Sequence, residues 1–313
     1  MKCYTKILAT LLLAAGFSTK AAAQDCDLPI SVVLYPQTEA LTEAAEAALE
    51  NQLNRIATST GLNASLPFNH FILTARIDVL DKTVVAGAPT RITQDMGFTF
   101  YIADVNTKTK FASAYVEVSG VGTNDTKCQM YAIRQLKGSN PKIAKLLETG
   151  REKILTYFDN NYEQILQEAE RKAALQRYDE AIAMAVSIPV CSKGGKAATL
   201  AGLRFYAKYR DKYNQTLLNE AKAIWAAGQG QEEARKAGEI LAQIDPEAAC
   251  YDDAERLANE IKKQVRSDLD FEMRQKYNDS VKLENQRIEA MRAVGVAYGK
   301  GQQPQTTNIT WLN

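Results

Sequence analysis

Three stretches of apolar–polar alternation, and the disappearance of alternation after residue 167, restrict this chain to a sheet followed by helices. In residues 71–79, Phe71, Leu73, Ala75, Ile77 and Val79 share one face, and Thr74, Arg76 and Asp78 share the other. Residues 97–104 repeat the pattern. Residues 112–118 repeat it again after the polar turn 106–110. Successive side chains of a strand point to opposite faces, so these read as half-buried antiparallel strands joined as consecutive hairpin partners.

The flanking segments complete a layer. Residues 30–35 form a short β-branched strand ended by Pro36. A helix is predicted over 38–60, with Leu41, Ala45, Ala48, Leu49, Leu53 and Ile56 at helical spacing and Gly61 as its stop. After the third strand the pattern breaks at Gly120-Val121-Gly122. Thr123, Asn124 and Asp125 offer N-caps for a helix through Met130, Ile133 and Leu136. Another helix follows Pro141, with Ile143, Leu146, Leu147, Ile154, Leu155, Phe158, Tyr162 and Ile165 along one face. Strand, helix, three strands and helix make a small α/β layer domain with an antiparallel meander over residues 24–140. This order, ending in Gly120-Val121-Gly122-Thr123 before the helix that carries Ala132, resembles the periplasmic α/β domains of the CsgG, FlgT and LpoB type. That resemblance implies service to an envelope assembly machine.

From residue 167 onward alanine-rich helical pattern takes over, and residues 141–250 read as an all-α domain. The run from Ala173 to Ile182, with Arg177-Tyr178-Asp179-Glu180-Ala181, resembles the second half of a tetratricopeptide repeat. A second unit has Ala221, Ile224 and Trp225 on one helix, then Glu232-Glu233-Ala234, and closes on Ile244-Asp245-Pro246 before Cys250. Ala234 precedes Pro246 by twelve residues, the tetratricopeptide interval, whereas Ala181 precedes Pro189 by eight. The units are TPR-like, the first is shortened, and two fall short of the three needed for a stable open array. A compact helical domain is expected.

A long C-terminal helix is predicted over 251–299, followed by an extended tail over 300–313. Its apolar positions Leu257, Ile261, Val265, Leu269, Met273, Tyr277 and Val281 step by four, which turns the stripe by about 40° per step. A straight helix cannot bury such a stripe on one flat partner. It must bend, break near Asp268 or Asp279, or meet a second chain.

The N-terminal segment reads as an export signal over residues 1–23: Lys2 and Lys6, an apolar run from residue 7 to 17, then Ala21-Ala22-Ala23. This run is too short to span a bilayer, and no later stretch reaches about 20 apolar residues. An exported chain, periplasmic or secreted, with no membrane span is expected. Removal of Lys2, Lys6 and Lys20 takes the net charge from +1 to −2, which gives no footprint for nucleic acid. Four of the five cysteines lie beyond the signal, namely Cys26, Cys128, Cys191 and Cys250. Export favours disulfides, and of the three connectivities the preferred one pairs Cys26 with Cys128 and Cys191 with Cys250.

Chemistry-bearing motifs are sparse. The one histidine, His70, stands where the second strand begins and reads as a capping or strand-edge group. Gly194-Gly195-Lys196 lacks the spacing of a phosphate loop. Gly120-Val121-Gly122 reads as a tight turn, with anion cradling as the alternative. The acid pairs Asp179-Glu180, Glu232-Glu233 and Asp252-Asp253 all stand in first turns of helices, where the dipole favours them. Asp279-Ser280-Val281 resembles a Bacteroidetes O-glycosylation tripeptide.

Aromatic residues give a partner-binding candidate set: Tyr206, Tyr209, Tyr213 and Trp225 in the helical domain, and Trp311 in the tail. The expected fold class is α+β. The expected role is a non-enzymatic adaptor or assembly factor that needs no cofactor and binds protein partners at the envelope. The alternatives are a structural subunit, homo-oligomeric through the C-terminal helix, and an envelope-polymer enzyme, against which the single histidine counts.

Overall fold

A computed structural model describes residues 28–36, 41–59, 62–63, 70–265, 271–275, 280–300 and 311–312. The signal peptide expected over 1–23, Cys26 and Asp279 lie outside the described residues. The α+β class holds: a four-stranded sheet precedes a helical C-terminal region.

The first part comprises β1 (Leu28–Pro29), β2 (Ser31–Val32), α1 (Glu43–Thr58), β3 (Leu62–Asn63), β4 (Phe71–Val85), β5 (Arg91–Asp104), β6 (Thr109–Gly122), α2 (Asp125–Gln135) and α3 (Pro141–Ala174). The sheet order is β2-β4-β5-β6. β2 pairs with β4 in parallel, and β4, β5 and β6 form the antiparallel meander. The strand expected at 30–35 is the two-residue β2, parallel to β4, and a further two-residue strand, β1, precedes it and pairs in parallel with β3.

The meander strands run past the alternation that announced them, and a bulge between Val79 and Asp81 marks where burial ends on β4. β6 does not break at Gly120 but continues to Gly122. The glycines are required there because α2 lies on them. A Cβ on Gly120 would stand 2.3 Å from the Cys128 carbonyl oxygen, and one on Gly122 would stand 2.5 Å from the Cys128 nitrogen. Asn124 caps α2 as its position foretold, its side chain accepting from the Lys127 amide at 2.9 Å.

One sheet face holds the core. Phe71, Leu73, Ala75, Ile77, Phe98, Phe100 and Ile102 meet Leu49, Leu53 and Ile56 of α1, Ala132 and Ile133 of α2, and Ile143, Leu147, Ile154 and Phe158 of α3. Burying a side chain of this size contributes about 1.5–3 kcal/mol. Gly150 lets α3 approach closely, since a Cβ there would sit 2.3 Å from Ile102 Cδ1. On the opposite face Tyr35, Ile72, Tyr101 and Ala103 bury Leu312, with Trp311 packed alongside. The end of the tail thus returns to the sheet.

The remaining helices are α4 (Tyr178–Ser187), α5 (Gly195–Gly228), α6 (Gln231–Leu241), α7 (Tyr251–Val265) and α8 (Ser280–Lys300). α3 leaves the sheet and packs Ala169 and Ala173 against Ala181, Ile182 and Ala185 of α4, with Ala201 and Phe205 of α5. The second half of α5 forms another core, with Leu218, Ala221 and Trp225 against Ala234, Ala237 and Leu241 of α6 and Leu257 and Ile261 of α7. Residue 141 is not a break in packing: α3 serves both parts, and Ile188 and Ala198 join the sheet core.

In place of one helix over 251–299 there are two. Residues 271–275 are not helical, and Phe271 is buried on Gly238, whose Cβ would lie 2.4 Å from the ring. The drifting stripe explains the interruption. α7 faces α6, whereas α8 faces α4 and sets Met291 against Gly202.

Candidate functional site

The aromatic residues singled out in the sequence do not converge. Trp225 is core, 4% exposed. Tyr206 and Tyr209 stack at a centroid separation of 6.5 Å and pack partly buried against the core shared by α4, α5 and α8. Tyr213 is exposed. Trp311 lies at the outer sheet face.

Beside Tyr206 a polar cluster joins three elements. Glu247, in the segment between α6 and α7, accepts from Arg210 of α5 at 2.8 Å and from Arg287 of α8, whose Nε lies at 2.9 Å. Arg287 chiefly, with Arg210, holds the Glu247 carboxyl below its usual range despite partial burial. Asn214 accepts from the Asp245 amide at 2.7 Å and donates to the Arg210 carbonyl at 2.8 Å, and Asp211 accepts from the Ala249 amide at 3.1 Å. Burial raises the Tyr206 phenol. These bonds fasten the 245–249 segment and α8 onto α5, so the cluster acts as a clamp.

His70 ends in a second clamp. Its Nδ1 donates to Asp104 Oδ1 at 2.7 Å, and the same oxygen accepts from the Asn106 amide at 2.9 Å. Burial would raise the Asp104 pKa. The bond and charge of His70 together with bonds from Thr107 outweigh this and hold the carboxyl below its usual range. The ring lies tilted with its centroid 4.0 Å from that of Phe71 and edge-on at 5.1 Å from that of Tyr157. The pair ties the start of β4 to the end of β5, as a strand-edge group would.

The cysteine pairing requires correction. Cys128 and Cys250 are free and buried, and burial raises both thiol pKa values. Cys191 is disulfide-bonded to neither. It packs against the sheet core whereas Cys250 belongs to the α5–α6–α7 core, so membership in repeated units did not bring the two sulfurs together.

The acid pairs are also engaged. Glu180 is buried with Lys172 at 2.8 Å and with Arg177. Exposed Glu232, bonded by Arg235 and Lys236, is lowered to about 2. Among the described residues no cluster of three metal-ligating side chains exists. No described helix is long and apolar enough to cross a membrane.

What sequence reading missed is the free end of the meander. Beyond the bulge, residues 80–91 are all exposed, and Leu80 (50%), Val84 (59%) and Val85 (52%) carry apolar surface there. Val121 on β6, opposite Thr93, lies at the same end and is also exposed. Adjoining it, between the end of β6 and the outward side of α2, is a cleft of ≈ 460 Å³ lined by Arg91, Val121, Lys127, Met130, Tyr131 and Arg134. Neither face is buried here, so no alternation advertised it. The available signal was the run of β-branched Thr83, Val84 and Val85 before a Gly-Ala-Pro turn.

No known protein family and no curated protein matches the chain. Among solved structures it is similar to a minor lipoprotein from Acinetobacter baumannii, with 16% identity over 41% of this chain and 94% of that one, at a TM-score of 0.22. It is also similar to the PelC dodecamer from Paraburkholderia phytofirmans, with 18% identity over 41% of this chain and 89% of that one, at a TM-score of 0.20. At these TM-scores the likenesses carry no argument about role.

Proposed function

We propose that this chain is an exported, non-enzymatic adaptor of the cell envelope that binds a partner protein through the free end of its β4–β5–β6 meander. The observation that carries this reading is the exposed apolar set Leu80, Val84 and Val85 on a hairpin whose base is fixed in the sheet core. Apolar side chains gathered on one protruding element mark interaction surfaces. The clamps around Glu247 and Asp104 hold the scaffold that presents this end, and their side chains are occupied in doing so.

A photo-crosslinking amino acid at position 84 or 85, irradiated in cells, tests the reading. The expected product is one heavier adduct that is not twice the chain's mass and that disappears when Leu80→Asp is added. An adduct of twice the chain's mass would replace the adaptor with a self-associating subunit. Absence of any adduct from both positions in a folded chain would end the proposal.

A further inference from the structure

We infer that the cleft between the end of β6 and α2 is the subsite for an acidic, extended segment of the partner protein; this rests on the adaptor reading. Three cations line it: Arg91 at the start of β5, and Lys127 and Arg134 on α2. None of the three makes an ion pair among the described residues, and Lys127 Nζ reaches only the Thr123 hydroxyl, at 3.2 Å. Arg204, Arg235 and Arg256, by contrast, are held by carboxylates, with Arg204–Glu170 at 2.6 Å, Arg235–Glu232 at 2.8 Å and Arg256 against Asp253.

Among the described residues no carboxylate lines the cleft: Asp125 beside it is paired with Lys82 at 2.8 Å, and Asp95, accepting from the Ser119 hydroxyl at 2.6 Å, stands outside the lining. In a chain with 38 bases and 37 acids, three uncompensated cations around one cleft form a local positive field.

The spacing on α2 is directional. Lys127, Met130, Tyr131 and Arg134 fall at i, i+3, i+4 and i+7, one stripe of the helix, while Cys128, Gln129, Ala132 and Ile133 occupy the buried side. The stripe thus alternates cation, apolar side chain and cation. A small inorganic anion would leave Met130 and the half-exposed Tyr131 uncovered, whereas a peptide with alternating acidic and apolar residues covers both.

The strand edge supplies the third element. β6 is the last strand of the sheet, and the Ser119 carbonyl points away from β5, where Gln135 Nε2 donates to it at 2.6 Å. In an antiparallel ladder residues two apart direct their backbone groups to the same side, so Val121 offers its N–H and C=O toward the cleft. An extended segment would therefore meet backbone groups at Val121, carboxylate partners at Arg91, Lys127 and Arg134, and apolar contact at Met130 and Tyr131. Strand addition with side-chain selection is an established mode of peptide capture.

The test is fluorescence anisotropy with the full chain and labelled peptides of about ten residues, one alternating Glu with Val and one alternating Lys with Val. The acidic peptide is expected to bind, with affinity falling steeply as salt rises from roughly 50 to 300 mM. Arg91→Ala with Arg134→Ala should weaken binding by about tenfold or more, and Tyr131→Ala by several-fold. Because these side chains are exposed, the variants should keep the wild-type near-UV circular dichroism.

Equal binding of the two peptides, or an unchanged affinity in the folded double variant, would overturn the proposal. So would binding of heparin or of phosphatidylglycerol vesicles through these residues with no binding of the acidic peptide. Loss of the crosslink at position 84 with peptide binding intact would overturn the hairpin adaptor alone. Loss of peptide binding with the crosslink intact would overturn the cleft alone.

Discussion

Replacing Gly120 by alanine tests whether the Gly-Val-Gly element exists for packing. The added Cβ would lie 2.3 Å from the Cys128 carbonyl oxygen and 3.0 Å from its carbon, both backbone atoms that no rotamer change can move. To restore contact distance α2 must retreat by roughly 1 Å, and a gap of that size forfeits about a quarter to a half of each lost contact. The side chains affected are those of Cys128, Gln129, Ala132 and Ile133, all buried beneath α2. Their combined loss is on the order of 3 kcal/mol, the upper range for overpacking. Alanine's advantage over glycine within a strand returns about 0.5–1 kcal/mol.

The net expectation is a destabilisation of about 2 kcal/mol, seen as a lower urea midpoint at unchanged slope. Gly202→Ala is the control. Its Cβ would meet the Met291 sulfur at 2.6 Å, but a thioether can swing aside, and alanine favours the helix by about 1 kcal/mol. That variant should stay within about 0.5 kcal/mol of wild type. If Gly120→Ala is as stable as Gly202→Ala, the packing account is wrong. If sulfate stabilises the wild type but not Gly120→Ala, the glycines cradle an anion after all.

Three further outcomes are expected. Asp104 has a folded pKa held below its unfolded value, so its contribution is complete above the unfolded pKa and is lost as pH falls through the folded one. His70→Ala should cost about 2 kcal/mol at neutral pH and make acid unfolding begin at higher pH, and an unchanged acid transition would refute the coupling. Glu247→Ala should cost about 2 kcal/mol by leaving Arg210, 13% exposed, with only the longer Asp211 pair at 3.6 Å, whereas Arg287→Ala should cost under about 1 kcal/mol because Arg287 is 43% exposed. Faster hydrogen exchange along α8 in both variants would locate the clamp, and equal urea midpoints would refute the asymmetry. Under native conditions iodoacetamide should spare Cys128 and Cys250. In denaturant it should modify both, while Cys191 reacts only after reduction, as peptide mass spectrometry can show.

Much of the scaffold was legible residue by residue. Phe71, Leu73, Ala75 and Ile77 announced a strand because a period of two places successive side chains on opposite faces, but the expected wet face is covered, with Ile72 and Thr74 fully buried. Asn124 announced a helix start because its side chain accepts an amide left unpaired there, that of Lys127. The drifting stripe of residues 257–281 announced an interruption, which lies between Val265 and Ser280. The candidate site was not legible, since residues 80–91 are exposed on every side and therefore carry no period.

The sequence by itself determined the three meander strands, most of the helices, where several of them start, and that the second half is alanine-packed. Those properties follow from local periodicity, caps and side-chain size. Only the tertiary structure decided that Cys128 and Cys250 stay free, that Trp225 is core and Tyr213 is not, and that Leu312 returns to the outer sheet face. It also decided that Arg91, distant in sequence, stands with Lys127 and Arg134 around one cleft. The reason is physical: partners across a fold are set by how whole layers register on one another, and no local pattern encodes a distance between residues on different elements.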